Sequence, residues 1–537
     1  MPRMSPAIVF LTGSLAVAGH SAQSSEKLDY PTIASIREEG LLRSQVMDHA
    51  WWLTEPFGPR ITGSPQIRQA ADWAARRLRE WGLANVHEEP FPFGKGWSLI
   101  RFHAHLVAPQ PQPIIGYPKA WSPGTKGTVV ADVVRVTVES EADFEKYRGA
   151  LRGKIVLTQP VREVRMLEGR VVWRMSEADL AQAAELPLPP PQVQRGRPPQ
   201  RPTLEEKIQA FFFDEGALAT VDRGAEQFVV SPGDSPYLKL QRPDGGTVFV
   251  GRLARPEDDH SRLVPAVTIA VEHYNRMVRL LEKQVPVKME LHVETAYHDD
   301  GPMDGFSILA EIPGTDRADE VVILGAHFDS QQAGTGATDN AAGTAAMMEA
   351  LRVLRAVGAR PRRTIRLALW GGEELGHYGS RHYAREHFGD VATMALKPDH
   401  AKVAAYFNVD NGTGRLRGVW LQGNLGAAPI FRQWMDPLRD LGVTTLAARS
   451  VGGSDQQAFD ELGLPGFQFI QDRLEYSSRT HHSNMDVYDR LQREDLMQIA
   501  TVVAVFAWNA ATRDDMLPRE ALPAPQPWVR PVGSPAR

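Results

Sequence analysis

The stretch Val321-Val322-Ile323-Leu324-Gly325-Ala326-His327-Phe328-Asp329 decides how the second half of the chain is read. Four apolar residues in a row, with no polar alternation, describe a strand buried on both faces. Polar groups then follow at its carboxyl end. The same arrangement recurs. Ile365 to Trp370 leads into Gly371-Gly372-Glu373-Glu374, and Val403 to Phe407 into Asn408-Val409-Asp410-Asn411. A weaker run, Phe467 to Ile470, precedes His481-His482-Ser483-Asn484-Met485-Asp486. A glycine-rich turn, Gly334-Thr335-Gly336-Ala337-Thr338-Asp339, joins the first strand to its helix. Helical stretches at Ala341 to Val357 and Ala427 to Leu441 separate the runs. Buried strands alternating with helices predict an α/β fold: a mostly parallel sheet with helices on both faces. In open sheets of that kind ligands bind beyond the carboxyl ends of the strands, where these acidic and imidazole groups are expected to gather.

Upstream of this half, Tyr30 to Leu53 is expected to be helical, with Ile33, Ile36, Leu41, Leu42, Val46 and Trp52 facing the core. A breaker follows at Glu55-Pro56-Phe57-Gly58-Pro59. Ser64-Pro65 then caps a helix that runs to Trp81 and stops at Gly82. Between about residues 102 and 292 short β-rich runs dominate: Thr128 to Val138, Lys154 to Thr158, Val264 to Val271 and Val287 to Val293. Within them lies the proline-rich stretch Pro187 to Pro202, read as an exposed loop. Met1 to Ala22 has the charged start, apolar stretch and small residues of a signal peptide, and predicts a secreted or periplasmic protein. Leu517 to Arg537 reads as a loose tail.

The composition excludes several classes. Lys+Arg 60 against Asp+Glu 65 gives a net charge of -5 over 537 residues, which argues against nucleic acid as the main partner. No internal apolar run predicts a stable membrane span. With Cys 0, thiolate metal sites, disulfides and cysteine nucleophiles are absent, so any metal must be held by His, Asp and Glu. Carboxylates gathered at one sheet edge repel one another unless a cation compensates. Such ligands suit Zn²⁺, with Co²⁺ or Mn²⁺ as other candidates. The glycine-rich turn fits neither phosphate-binding fingerprint, Gly452-x-Ser454-x-Gln456 is not a nucleophile elbow, and calcium would not use imidazole.

Together His327-Phe328-Asp329, Asp339-Asn340-Ala341-Ala342-Gly343, Glu373-Glu374, Asp410 and His482-Ser483-x-x-Asp486 resemble the M28 family of co-catalytic zinc peptidases, over roughly residues 30 to 518. Gly58-Pro59-Arg60-Ile61-Thr62-Gly63-Ser64, Arg152-Gly153-Lys154-Ile155-Val156, His481-His482-Ser483 and Asp514-Asp515-Met516-Leu517-Pro518 are most similar to its carboxypeptidase Q branch. The β-rich insert resembles a protease-associated (PA) domain. The resemblance implies a discontinuous peptidase domain, residues 26–101 and 293–518, around an insert at 102–292, with a signal peptide at 1–22 and a flexible tail at 519–537. It also implies two Zn²⁺, one on His327, Asp339 and Asp410, the other on Asp339, Glu374 and His482, with Asp339 bridging. Glu373 is then the general base, and Asp329 orients the imidazole of His327. Many relatives have Tyr directly before the last ligand. Here that residue is His481, read either as a hydrogen-bond donor to the developing oxyanion or as a surface histidine. Asp455, in Gly452 to Phe459, is placed beside the metals as support. The activity implied is exopeptidase cleavage of dipeptides or short peptides, with amino- or carboxy-terminal recognition left open and a homodimer considered as assembly. Two other readings share the scaffold: a glutaminyl cyclase-like transferase and a non-catalytic, receptor-like homologue.

Overall fold

The computed structural model describes residues 25–164, 172–188, 202–224, 241–298 and 305–526. The signal-peptide reading of Met1 to Ala22 and residues 189–201 of the proline-rich stretch lie outside these.

The four apolar runs form the middle of an eight-stranded sheet. Its strands in chain order are β1 (Ala84–Phe91), β2 (Gly305–Ile312), β3 (Arg317–His327), β4 (Arg363–Trp370), β5 (Val403–Asn408), β6 (Leu416–Trp420), β7 (Thr445–Ala447) and β8 (Gly466–Gln471). Their order across the sheet is β1-β2-β4-β3-β5-β8-β6-β7. Strands β4, β3, β5 and β8 run parallel, whereas β1, β2 and β6 enter antiparallel pairs toward the edges. Alternate residues of each central strand serve opposite cores, as the period of two requires. Val322, Leu324 and Ala326 join the larger core; Val321 and Ile323 join a smaller one with Trp370, Tyr406 and Phe459. Helices cover both faces, so the fold is the expected α/β class.

The larger core is organised by two helices, Ala342–Ala356 and Arg493–Thr512. The second was not read from the sequence. It is long and apolar enough to cross a membrane, but 89% of its apolar window is buried inside the fold, which makes it a core helix. The helix expected over Tyr30 to Leu53 is two, Tyr30–Leu42 and Val46–Thr54. The Ser64 cap is present: its hydroxyl accepts a hydrogen bond from the Ile67 amide at 3.4 Å, and the helix Pro65–Glu80 follows.

A second eight-stranded sheet carries its own core, built from residues such as Leu106, Ile155, Val221, Val267 and Leu291. Its two longest strands, Gly96–Ala108 and Lys288–His298, pair antiparallel along their length. Positions 101 and 293 therefore fall inside strands of this second sheet. The run expected from Val264 to Val271 is strand only at Ala266–Ile269, and a helix starts at Val271. Near residue 250 the chain reaches back to the first sheet: the Val250 amide donates to the His482 carbonyl at 3.0 Å. Residues 519–526, expected as loose tail, are tied down instead. Arg519 donates to the carbonyls of His400 and Val403, and the Gln526 amide to Val391.

Three helices meet at one buried carboxylate. Glu349 accepts hydrogen bonds from the Gln45 amide (2.9 Å), the His49 ring (3.1 Å) and Arg352 (2.7 and 2.9 Å), and Arg352 also reaches Glu39 at 2.8 Å. Burial alone would push the Glu349 pKa up, but His49 and Arg352 more than offset it and hold it at about 2, against an ordinary 4.5. A depressed carboxylate pKa contributes stability that is complete above the unfolded value and lost as pH falls through the folded one. Glu349→Gln is therefore expected to cost about 3 kcal/mol near pH 7. The deficit should shrink between pH 4.5 and 2. Urea unfolding of both proteins across that range checks this; a deficit independent of pH would contradict it.

Candidate metal centre

Neighbouring parallel strands deliver neighbouring candidate ligands. His327 ends β3, Glu373 and Glu374 follow β4, and Asp410 lies two residues past β5. Asp339 comes from the turn after β3, and His482 from the loop after β8. The His327 Nε2 atom lies 3.2 Å from Asp339 Oδ1 and 3.4 Å from Asp410 Oδ1. The His482 Nε2 atom lies 3.4 Å from Asp339 Oδ2 and 3.1 Å from Glu374 Oε2. The two oxygens of Asp339 thus face two separate imidazoles.

Glu373 and Glu374 sit on a 3₁₀ turn entered through Gly372 at φ +71°, a left-handed conformation suited to glycine. The turn sends them to different partners. Glu374 meets His482 and accepts a hydrogen bond from Gln331 Nε2 at 2.7 Å, while Glu373 Oε1 lies 3.1 Å from His377 Nε2. Burial holds the Glu373 carboxyl well above the usual range; His327 partly offsets this and the neighbouring carboxylates of Asp410, Asp455 and Glu374 add to it. For His482 burial opposes charging, yet Glu374 and Asp339 raise it to about 9. His327 is raised in the same way, by Asp410 and Glu373, against burial.

The remaining sequence-derived residues fall around this centre. The Asp329 carboxylate accepts hydrogen bonds from Thr62 Oγ1 (2.9 Å) and the Glu373 amide (3.2 Å). The Nδ1 atom of His327 is met by the main-chain carbonyl of Asp329 at 3.1 Å, with the carboxylate at 3.6 Å. Asp455 is buried, accepts from Ser380 Oγ at 2.5 Å, and is pushed up to about 7 by burial. His481 stacks on His482 with ring centroids 3.7 Å apart, and its Nε2 lies 3.8 Å from Asp339 Oδ2. Burial and the neighbouring His482 lower it to about 3, so it is a neutral imidazole. Its ligand atom converges with those of Asp339 and His482, as those of His327, Asp339 and Asp410 do with one another.

Several participants carried no assigned role in the sequence. Arg60 is fully buried and donates to the carbonyls of Leu53, Phe328, Thr335 and Gly336, stitching together both ends of the turn that holds Asp339. Asp486, quoted only as part of a motif, accepts hydrogen bonds from the amides of Thr338 (2.5 Å) and Asp339 (3.2 Å). Tyr476 packs its ring against His481. The signal for Arg60 and Asp486 was their place inside phrases shared with a family; Tyr476 lies in no such phrase.

A cation fits the donor set. The buried oxygens Asp339 Oδ2, Asp410 Oδ1 and Glu374 Oε1 make no hydrogen bond, and the surrounding atoms are carboxylate oxygens and imidazole nitrogens, as a zinc-type ion prefers. Comparison with known proteins points the same way: residues 307–507 match the family model described as Peptidase family M28. The chain carries a family M28 peptidase domain. It is 26% identical over 489 residues to carboxypeptidase Q of Mus musculus, covering 91% of this chain and 90% of that protein. In fold it is similar to a peptidase M28 precursor from Shewanella amazonensis (24% identity, 92% of this chain, 98% of that one, TM-score 0.64). It is also similar to a zinc aminopeptidase from Bacillus subtilis (18% identity, 87% of this chain, 94% of that one, TM-score 0.54).

If Asp339 faces both ions, Asp339→Ala should bind less than one zinc per chain, because each ion loses a charged ligand. His482→Ala should keep about one. Metal analysis after dialysis against a fixed free zinc concentration distinguishes them, and two zinc ions retained by Asp339→Ala would show that it does not bridge.

Proposed function

We propose that this M28 peptidase is a two-zinc exopeptidase acting on dipeptides or short peptides. The observation that carries the reading is Asp339 set between two imidazoles, each with a second carboxylate, and Glu373 beside them without a place in either set. One ion would be held by His327, Asp339 and Asp410, the other by Asp339, Glu374 and His482. Bound there, the pair supplies Lewis acidity toward water and the scissile carbonyl. Zinc as the metal is supported by the donor set and by the fold shared with a zinc aminopeptidase.

Glu373 takes the proton of the attacking water and passes it to the departing amine. Its raised pKa suits a group that must both accept and return a proton near neutral pH. His377, 3.1 Å away, fixes the orientation of that carboxylate. Asp329 holds the Glu373 backbone and, through its own carbonyl, His327 Nδ1, so base and ligand are positioned by one residue. His481 and Asp455 are proposed as supports: His481 as a neutral donor toward the oxyanion, Asp455 as a buried carboxyl behind Asp410. The second sheet is proposed to be a PA-type insert. The reading as a secreted or periplasmic protein rests on Met1 to Ala22. The carboxypeptidase Q relative supports peptide substrates.

Glu373→Gln keeps the shape and removes the base, so zinc should remain bound while turnover falls by ~10²–10⁴-fold. Glu374→Gln should first lose metal and recover part of its activity in excess zinc. Turnover of a dipeptide alongside zinc stoichiometry tests both; Glu373→Gln with unchanged turnover would remove it as the base. A long peptide blocked at both ends should not be cut, and its efficient cleavage would overturn the exopeptidase reading.

A further inference from the structure

We infer that Arg252, contributed by the second sheet's region, binds a carboxylate of the peptide on the far side of the scissile bond; the inference rests on the exopeptidase reading above. Residues 249–253 lie against the centre and are pinned on both sides. The Val250 amide donates to the His482 carbonyl at 3.0 Å, Gln332 Nε2 donates to the Gly251 carbonyl at 2.8 Å, and the Leu253 amide donates to Ala120. The Arg252 side chain leaves this pinned backbone toward Glu374, and its Nη1 donates to the Glu374 main-chain carbonyl at 3.3 Å. The Glu374 carboxylate is 3.1 Å from His482. A guanidinium is thus hydrogen-bonded to the main chain of a residue whose carboxylate faces the centre.

The cations around the centre differ in what they are free to do. Arg60 is saturated by four carbonyls. Arg255 is near Glu257, 3.8 Å away. Among the described residues Arg252 forms no ion pair, and its exposed side chain lies where two hollows join. One is a narrow recess walled by Thr62, Trp121, Gln331, Glu374 and Leu375. The other is a cleft of about 940 Å³ that continues along the second sheet's region. A guanidinium with a spare fork in a sheltered cleft matches a carboxylate in shape and charge. Two peptide groups supply that chemistry next to the scissile bond: the free α-carboxylate, and the side chain of Asp or Glu.

The test compares zinc-loaded parent, Arg252→Ala and Arg252→Lys on Ala-Ala, Ala-Ala-amide and Ala-Glu-amide, with zinc content measured for each. Parent is expected to favour Ala-Ala or Ala-Glu-amide over Ala-Ala-amide; the first preference identifies the α-carboxylate, the second the acidic side chain. Arg252→Ala should lose about 10²-fold in kcat/KM on the favoured substrate, mainly through KM, while Ala-Ala-amide changes less than about threefold. Arg252→Lys should restore part of the loss. Equal loss on all three substrates, or loss of zinc, would make Arg252 a structural prop for the Glu374 turn and overturn the inference, as would no loss at all. A zinc-loaded parent that cleaves none of the three would instead refute the exopeptidase reading on which the inference rests.

Discussion

The structure turns on carboxylates that are withdrawn from water together. Asp329, Asp339, Glu373, Asp410, Asp455 and Asp486 are all buried at the carboxyl edge of one sheet, and the Glu374 side chain is nearly so. Like charges at this density disfavour ionisation, and burial disfavours it further. The consequence is visible in the pKa directions: Glu373 stands well above the usual range, and Asp455 and Asp486 are pushed to about 7. The imidazoles of His327 and His482 are raised too, against the opposing effect of burial, because the same carboxylates favour their charged form. Such an arrangement is costly for a protein that needs only stability, and the proposed pair of divalent cations would relieve it.

Much of the surrounding architecture keeps these groups from relaxing apart. Arg60 remains cationic although burial lowers it to about 10, and spends its donors on carbonyls rather than on the site's carboxylates. It therefore fixes the turn without pairing with those carboxylates. Asp486 holds the backbone of Asp339 from behind, so the Asp339 side chain keeps both oxygens for the centre. His482 itself sits at φ +57°, an unfavourable region for a non-glycine residue, with its carbonyl held by Val250. The second sheet is thereby part of the centre's geometry as well as its cover.

Legibility in the sequence followed burial. The four strands buried on both faces announce themselves as apolar runs, and their carboxyl ends deliver the candidate ligands, so the sheet's middle and the place where these acidic and imidazole groups gather could be read together. Three strands at or next to the edges could not: Ala84–Phe91 is polar and half-exposed, and Leu416–Trp420 and Thr445–Ala447 are too short to show a period. The helix Arg493–Thr512 is apolar all round because it is enclosed, which erases the amphipathic signal. The local shape of Glu373-Glu374 depended on Gly372 and the turn, not on strand alternation. Arg252 was invisible because its role comes from tertiary contact between the two sheets' regions, and nothing adjacent in sequence marks it.

The central claim is that this carboxylate cluster exists to hold two metal ions. Calorimetric titration of zinc into chelator-treated protein at pH 7, repeated in buffers of different ionisation enthalpy, tests it most directly. Two zinc ions per chain should bind with net proton release, because the surrounding carboxylates raise His327 and His482 toward the protonated form before binding, and both must become neutral ligands. Fewer than one zinc per chain, or binding of two without proton release, would contradict the account.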